Sequence, residues 1–408
     1  MQHVYSGARR STLVLGPTRS GKTSSLLVPN VLVTSSSVVT TSTKDDVALA
    51  TARRAGVGHV LVFDPSGSTA CPPWARPVGW SPIGASARWD EAVQMTDAMV
   101  AASRLRARAA WSPDHWTERA GALLAPLLHA AALAGLGIGD VAGWVDRREG
   151  REPLSVLVSG QGEAHQAPAS LGGLLATDER ELSGIWSTAA GVLGAWRTDA
   201  ARAVASLPAI DLDRFLSGPN TLHVVAPSRH QVAAAPVIAG LLDSLVHHTY
   251  ERQASGASLL LALDELANVA PLPSLPSIVS EGAGQGVVVL GCLQDLSQAR
   301  VRWGTAADGF LSLFPTTVVL PGIADRATLD ALSHLAGRQD VVTVSVTDGR
   351  HRGRVTRSIV QRPRLAPDEV ARGRTGQALV LDAAKRLGYV SLTPAHLDAR
   401  FLVGRTVS

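Results

Sequence analysis

Apolar residues in this chain fall into short, nearly unbroken blocks separated by longer stretches with helical spacing. The blocks are STLVLG (11–16), SVVTTS (37–42), HVLVFD (59–64), TLHVVAP (221–227), SLLLALD (258–264), GVVVLGCLQ (286–294), TTVVLPG (316–322) and QALVLD (377–382). They are rich in Val and Leu and run near-continuously, as strands covered on both faces of a parallel sheet do. Between them, QVAAAPVIAGLLDSLVHHTYER (231–252) and DRATLDALSHLAG (325–337) read as helices. Strand–helix alternation predicts an α/β fold built on a doubly wound, mainly parallel sheet.

The rhythm stops between residues 85 and 210, where RWDEAVQMTDAMVAASRLRARAA and ERELSGIWSTAAGVLGAWRTDAARAVASL read as helices. Only LSVLVS (154–159) resembles a strand there, and the Gly/Ala/Pro-rich VSGQGEAHQAPASLGG (158–173) reads as a loop. The expected organisation is an α/β domain in two parts, 1–84 and 211–408, with an all-α domain, 85–210, inserted between them. The stretch 120–139, AGALLAPLLHAAALAGLGIG, carries no Asp, Glu, Lys or Arg over about the length of a membrane span. Pro126, His129, four glycines and the reliance on Ala favour a helix buried in a soluble domain and ending near Gly135. No internal repeat is visible.

With 408 residues, 46% hydrophobic and 18% charged, the composition is globular and excludes a disordered chain. A formal charge of +4 permits a nucleic-acid partner without demanding one. Cys71 and Cys292 are too few for a disulfide framework or a zinc site, and read as small buried hydrophobes in a reducing compartment. The opening residues, MQHVYSGARRS, lead straight into a strand, so no signal peptide is expected. Of the 38 basic residues, 35 are Arg; the lysines are Lys22, Lys44 and Lys385. A lysine kept in such a chain suggests a place that needs a slim, single-point ammonium. Lys385 reads as an ordinary surface residue.

Lys22 lies in GPTRSGKT: Gly16, Pro17, Thr18, Arg19, Ser20, Gly21, Lys22 and Thr23 satisfy G-x-x-x-x-G-K-[ST], between a strand and a helix start. The glycines let the backbone turn and approach phosphates, and successive N–H groups with the following helix N-terminus offer positive charge to an anion. Lys22 is expected to reach the β- and γ-phosphates of ATP, and the Thr23 hydroxyl to ligate Mg²⁺. The second half of such a site is an acid at the end of a buried strand, which SLLLALDELANV supplies as Asp264 and Glu265. Asp264 is expected in the Mg²⁺ shell and Glu265 as the base for the attacking water; a helix cap is the plainer reading of Asp264. Gln294, at the end of the next apolar block, is placed either to sense the γ-phosphate or to cap a helix or make a loop contact. Lys44 either faces the nucleotide crevice or pairs with Asp45 or Asp46.

Several stretches together resemble the TraG/TraD-type coupling ATPases of conjugative type IV secretion, in forms of actinobacterial appearance. They are GPTRSGKT with LVPNVL, SVVTTSTKDD, VLVFDPSG with WSPIGAS, DLDRFLSGPNTLHVVAPS, LLLALDELANVAPLPSLPSIVSEGAGQG, LQDLSQARVRWG and RPRLAPDEVARGRTGQALVL. The resemblance implies a RecA-like P-loop domain with an inserted all-α domain, acting as a hexamer. It implies ATP-driven handling of single-stranded DNA, a relaxase–DNA complex or protein substrates, with secretion-channel proteins at the cytoplasmic face of the inner membrane as partners. Family members usually carry N-terminal transmembrane helices, which the segment before Gly16 is too short to hold; either they are missing from this sequence or this is a soluble variant that docks on a partner. Gln285 in EGAGQG stands where relatives carry a basic residue, leaving Arg300, Arg302 and Arg326 as candidates for an arginine finger. Such a finger is worth ~10³–10⁵ in rate.

Two stretches offer contacts to DNA. VVTVSVTDGRHRGRVTRSIV (341–360) reads as a hairpin with Arg350, Arg352 and Arg354 around its turn, either a phosphate-tracking tip or a solvated one. SRLRARAAW sets Arg104, Arg106 and Arg108 near Trp111, which either stacks on bases or packs in the core. Two other functions share these features: an FtsK-like translocase or protein-export ATPase, and a nucleotide-gated adaptor with little turnover.

Overall fold

The computed structural model describes residues 9–103, 113–160, 166–347, 354–382 and 387–402. The chain divides into two units, Met1–Leu26 with Cys292–Ser408, and Leu27–Gly291. The described strands are β1 (Thr12–Leu15), β2 (Ser37–Ser42), β3 (Val60–Phe63), β4 (Arg76–Pro77), β5 (Thr221–Val225), β6 (Leu259–Leu263), β7 (Val287–Leu293), β8 (Thr316–Val319), β9 (Arg338–Thr347), β10 (Arg354–Pro363), β11 (Gln377–Asp382) and β12 (Leu387–Ser391). Each predicted block contains one of them, and ten of the twelve make up a mainly parallel sheet.

In the first unit the order is β12-β11-β8-β1. β1 and β8 are parallel, with Leu15 opposite Val319; β11 runs antiparallel to both of its neighbours. In the second unit the order is β7-β6-β2-β5-β3-β4, and every pairing is parallel. β2 and β5 are buried at every position, which is why they appear in sequence as unbroken runs. The two-residue β4 ends on Pro77, which cannot donate to a ladder and suits an edge.

Two polar residues brace the second unit. Arg54, 2% exposed, fastens the N-terminal ends of β2 and β5. Its Nε donates to Thr221 Oγ1 (2.9 Å), Nη1 to the carbonyl of Thr34 (2.6 Å), and Nη2 to the carbonyls of Ser36 (3.1 Å) and Pro219 (2.8 Å). Burial lowers the guanidinium pKa. In the middle of β5, His223 shares a 2.7 Å hydrogen bond through Nδ1 with Thr40 Oγ1 of β2, and its Nε2 is buried without a partner. Desolvation, with a smaller push from Arg54, drives the imidazole pKa down to about 3, so it is neutral in the folded chain.

From Trp89 to Ala205 the described elements are helical. LSVLVS lies in a helix, Arg151–Ser159, rather than a strand: Pro153 and Leu157 are buried one helical turn apart, while Val158 is exposed. The carboxylate of Glu149 caps that helix by accepting from the N–H groups of Arg151 and Glu152. The expected loop 158–173 gives way to a helix, Gln166–Leu175, burying Ala167, Leu171 and Leu174 at helical spacing. The long 179–207 pattern is broken by a tight turn at Leu193–Arg197, where Trp196 leaves helical geometry. The apolar 120–139 stretch belongs to helix Pro113–Leu133, with Leu123, Leu124, Leu127 and Leu128 fully buried and Gly135 in left-handed backbone beyond its end. Among the described residues one helix, Gln231–Glu251, is long and apolar enough to cross a membrane, and 67% of its apolar window is buried.

β9 and β10 pair as the predicted antiparallel ribbon, with Val342 opposite Ile359 and Val344 opposite Arg357. Arg350 and Arg352 lie outside the described residues, as do Arg104, Arg106, Arg108, Trp111 and Lys385; Arg354 opens β10.

Candidate phosphate-binding site

β1 delivers the chain to the glycine-bent loop between two neighbours. The Gly16 N–H donates to the carbonyl of Leu293, the last residue of β7, at 3.1 Å, and Leu320 N–H donates to Leu15 at 2.8 Å. A Cβ on Gly16 would lie 2.8 Å from Ser20 Oγ and 2.9 Å from Leu320 Cβ, so no larger residue fits without movement. Arg19 (φ 61°) and Gly21 (φ 95°) both adopt left-handed backbone, curling the loop on itself. Beyond it, Lys22–Leu27 forms a widened, π-type turn. Pro29, lacking an N–H, cannot donate to the Ser25 carbonyl as a regular α-helix requires.

Lys22 is 6% exposed, and its ammonium donates to the carbonyls of Gly16 (2.6 Å) and Pro17 (2.8 Å). The hydroxyl of Ser20 is buried and has no partner. A buried cation satisfied only by neutral carbonyls, beside an orphaned hydroxyl in a curled loop, fits an incoming phosphate. Thr23 follows Lys22, half-buried.

Gln294 comes directly after Leu293, the residue that accepts from Gly16, and is therefore beside the start of the loop. Its N–H donates to Gln298 Oε1 at 2.9 Å. The cap of helix Leu296–Trp303 is Asp295, whose carboxylate accepts from Ser297. The capping alternative for Gln294 is thereby taken by its neighbour.

Asp264 and Glu265 belong to the other unit, directly after β6. Asp264 is 8% exposed; its carbonyl accepts from Thr41 Oγ1 of β2 (2.8 Å), and its Oδ1 accepts from the Glu265 N–H (3.2 Å). Glu265, not Asp264, precedes the short helix Leu266–Val269, with left-handed backbone at φ 50°, ψ 43°. Asn268 donates its amide to Glu265 Oε2 at 3.1 Å. Nothing in the residue pattern singles out Asn268.

Lys44 is exposed and makes no ion pair among the described residues; Asp46 instead accepts from Ser42 Oγ and the Val47 N–H. Of the arginine-finger candidates, Arg300 is held by Asp308 (3.4 Å) and Asp325 (3.3 Å). Burial lowers the Arg302 pKa. Arg326 is 94% exposed and pairs with Asp330 at 3.5 Å.

A family model described as type IV secretory system conjugative DNA transfer matches residues 4–386. The conjugal transfer protein TraG of Escherichia coli is 24% identical over 429 residues, covering 94% of this chain and 65% of that protein. The chain thus spans just under two thirds of that relative's length. Solved structures of the bacterial conjugative coupling protein TrwB share the fold. A trigonal form with sulphate superposes with a TM-score of 0.68 at 19% identity, covering 94% of this chain and 85% of that one. A complex with a non-hydrolysable ATP analogue gives 0.64 at 20%, covering 95% and 86%. These matches agree with an α/β, RecA-like sheet accompanied by helices.

Proposed function

Because the chain belongs to the type IV secretory system conjugative DNA transfer family, we propose that it is an ATP-hydrolysing coupling protein. It recruits DNA, or a protein–DNA complex, and drives it toward a secretion channel. The observation that carries this reading is the Gly16–Thr23 loop, with its buried Lys22 ammonium on two carbonyls and its unpaired Ser20 hydroxyl. TrwB has been solved with a non-hydrolysable ATP analogue and with ADP and Mg²⁺; the same ligands suit this loop.

In this account Lys22 exchanges its carbonyl partners for β- and γ-phosphate oxygens, while the N–H groups of the loop surround the phosphates. The Thr23 hydroxyl and the Asp264 carboxylate would hold Mg²⁺, which when bound would supply positive charge to offset the negative charge on the phosphoryl oxygens. Among the described residues no three His, Cys, Asp or Glu side chains converge as a metal site. One hydroxyl and one carboxylate, completed by phosphate oxygens and water, suit Mg²⁺. Glu265 takes the proton of the attacking water, and Gln294 reads the γ-phosphate by hydrogen bonding.

We assign nucleotide binding to residues 1–84 and 211–408, and substrate engagement to residues 85–210. The active form is a hexamer in which Arg300, Arg302 or Arg326 completes a neighbour's site, at the cytoplasmic face of the cell membrane. The exposed β9–β10 ribbon, bearing Arg357 and Arg362, offers a surface to single-stranded DNA.

The test is ATP titration and turnover of the wild type and Lys22→Ala, with and without single-stranded DNA. Lys22→Ala should lose ATP binding; unchanged affinity would remove that lysine from the site. Stimulation by single-stranded DNA is expected of the motor, and slow, DNA-indifferent turnover of an adaptor.

A further inference from the structure

We propose that Asn268 is a positioning residue that fixes the Glu265 carboxylate for water activation; this rests on the reading of Glu265 as the base. Asn268 is tied to Glu265 at both its backbone and its side chain. The Asn268 N–H donates to the Glu265 carbonyl at 2.8 Å, and the Asn268 amide donates to Glu265 Oε2 at 3.1 Å. The two contacts depend on one backbone feature. Glu265 sits in left-handed geometry, which a non-glycine residue adopts only where its surroundings impose it. That turn starts a single helical turn at Leu266, so that residue 268 comes back over residue 265.

The support beneath the amide is rigid. Leu266, Ala267 and Val269 are all buried, and Val269 N–H donates to the Glu265 carbonyl at 2.9 Å. The position of Asn268 is thus set by the core rather than by solvent. A Glu side chain has three rotatable bonds, and a carboxylate held at one oxygen keeps far fewer orientations than a free one. The amide engages Oε2 and leaves Oε1 to accept a proton. An amide does not titrate in the range where the enzyme works, so Asn268 orients the base without competing for the proton. Aspartate at this position would lack the donor and repel Glu265; alanine would lack the donor alone.

The experiment compares the full chain with Asn268→Ala, Glu265→Gln and the double variant. It measures kcat and KM for Mg·ATP hydrolysis, the affinity for a fluorescent ATP analogue, and thermal stability. Asn268→Ala should lower kcat by roughly 10- to 100-fold, the range expected when a catalytic group is held about an ångström out of place. Nucleotide affinity should stay within about threefold of wild type, because no phosphate contact is lost. In the Glu265→Gln background the same change should have no further effect, since there is no base left to position. If Asn268→Ala does not fold, Asn268→Asp, isosteric and without the donor, takes its place and should lower kcat at least as far, since repulsion of the Glu265 carboxylate adds to the lost hydrogen bond. Wild-type or faster turnover in the Asn268 variants overturns the proposal, as does an equal loss in both backgrounds. Wild-type turnover by Glu265→Gln would instead overturn the assignment of the base, and a normal Asn268→Ala beside an inactive Glu265→Gln would overturn the positioning role alone.

Discussion

Acidification should weaken the fold through His223, and the size of the effect follows from its surroundings. In the folded chain the imidazole lies inside β5 against Thr40, with a pKa near 3 rather than 6.5, because burial excludes its charged form. The unfolded chain therefore binds a proton that the folded chain refuses at pH values between these limits. The sign is fixed: this contribution is fully present above about pH 6.5 and is lost progressively as pH falls toward 3. One proton is worth about 1.4 kcal/mol per pH unit, so the loss at pH 5 is about 2 kcal/mol. The assay is urea denaturation at several pH values for the wild type and His223→Asn, a residue that keeps a polar atom near Thr40 and cannot titrate. Carboxylates add their own acid dependence to both proteins, and the difference between them isolates the imidazole. The variant should start less stable at neutral pH, and the two curves should converge below pH 6.5. Parallel curves would refute the reasoning, because they would mean that His223 titrates alike in both states.

Arg54→Met should cost about 3 kcal/mol, since several buried acceptors at the starts of β2 and β5 lose their donor together; chemical denaturation at neutral pH measures it. Replacing Arg357 and Arg362 by Ala should weaken single-stranded DNA binding. It should also flatten the dependence of log Kd on log salt by about 1.4, two phosphate contacts at ~0.7 each, as read by fluorescence anisotropy.

Much of the fold was legible because burial on both faces of a parallel sheet writes itself as continuous apolar runs; β2 and β5, buried throughout, are the clearest cases. Short windows were less informative. LSVLVS alternates over too few residues to separate a strand from a helix, and the Glu149 cap and the burial of Pro153 and Leu157 one helical turn apart decide for helix. The 158–173 piece looked loop-like through its Gly, Ala and Pro, yet Ala167, Leu171 and Leu174 form a buried helical stripe. The phosphate loop was readable because chemistry fixes nearly every position in it. Asn268 was not, because its contact exists only through the left-handed backbone of Glu265, which no residue pattern displays. Arg54, flanked by Arg53 and Ala55, looks in sequence like a surface residue; only the fold brings backbone carbonyls around it.

The proposed mechanism divides labour between a loop that binds the triphosphate and an acid that drives its hydrolysis. Glu265→Gln, assayed side by side for ATP-analogue affinity and for phosphate release, tests that division most directly. Affinity close to wild type with phosphate release reduced at least 100-fold is the expected result, that being the low end of what a general base contributes. Phosphate release at the wild-type rate would contradict it.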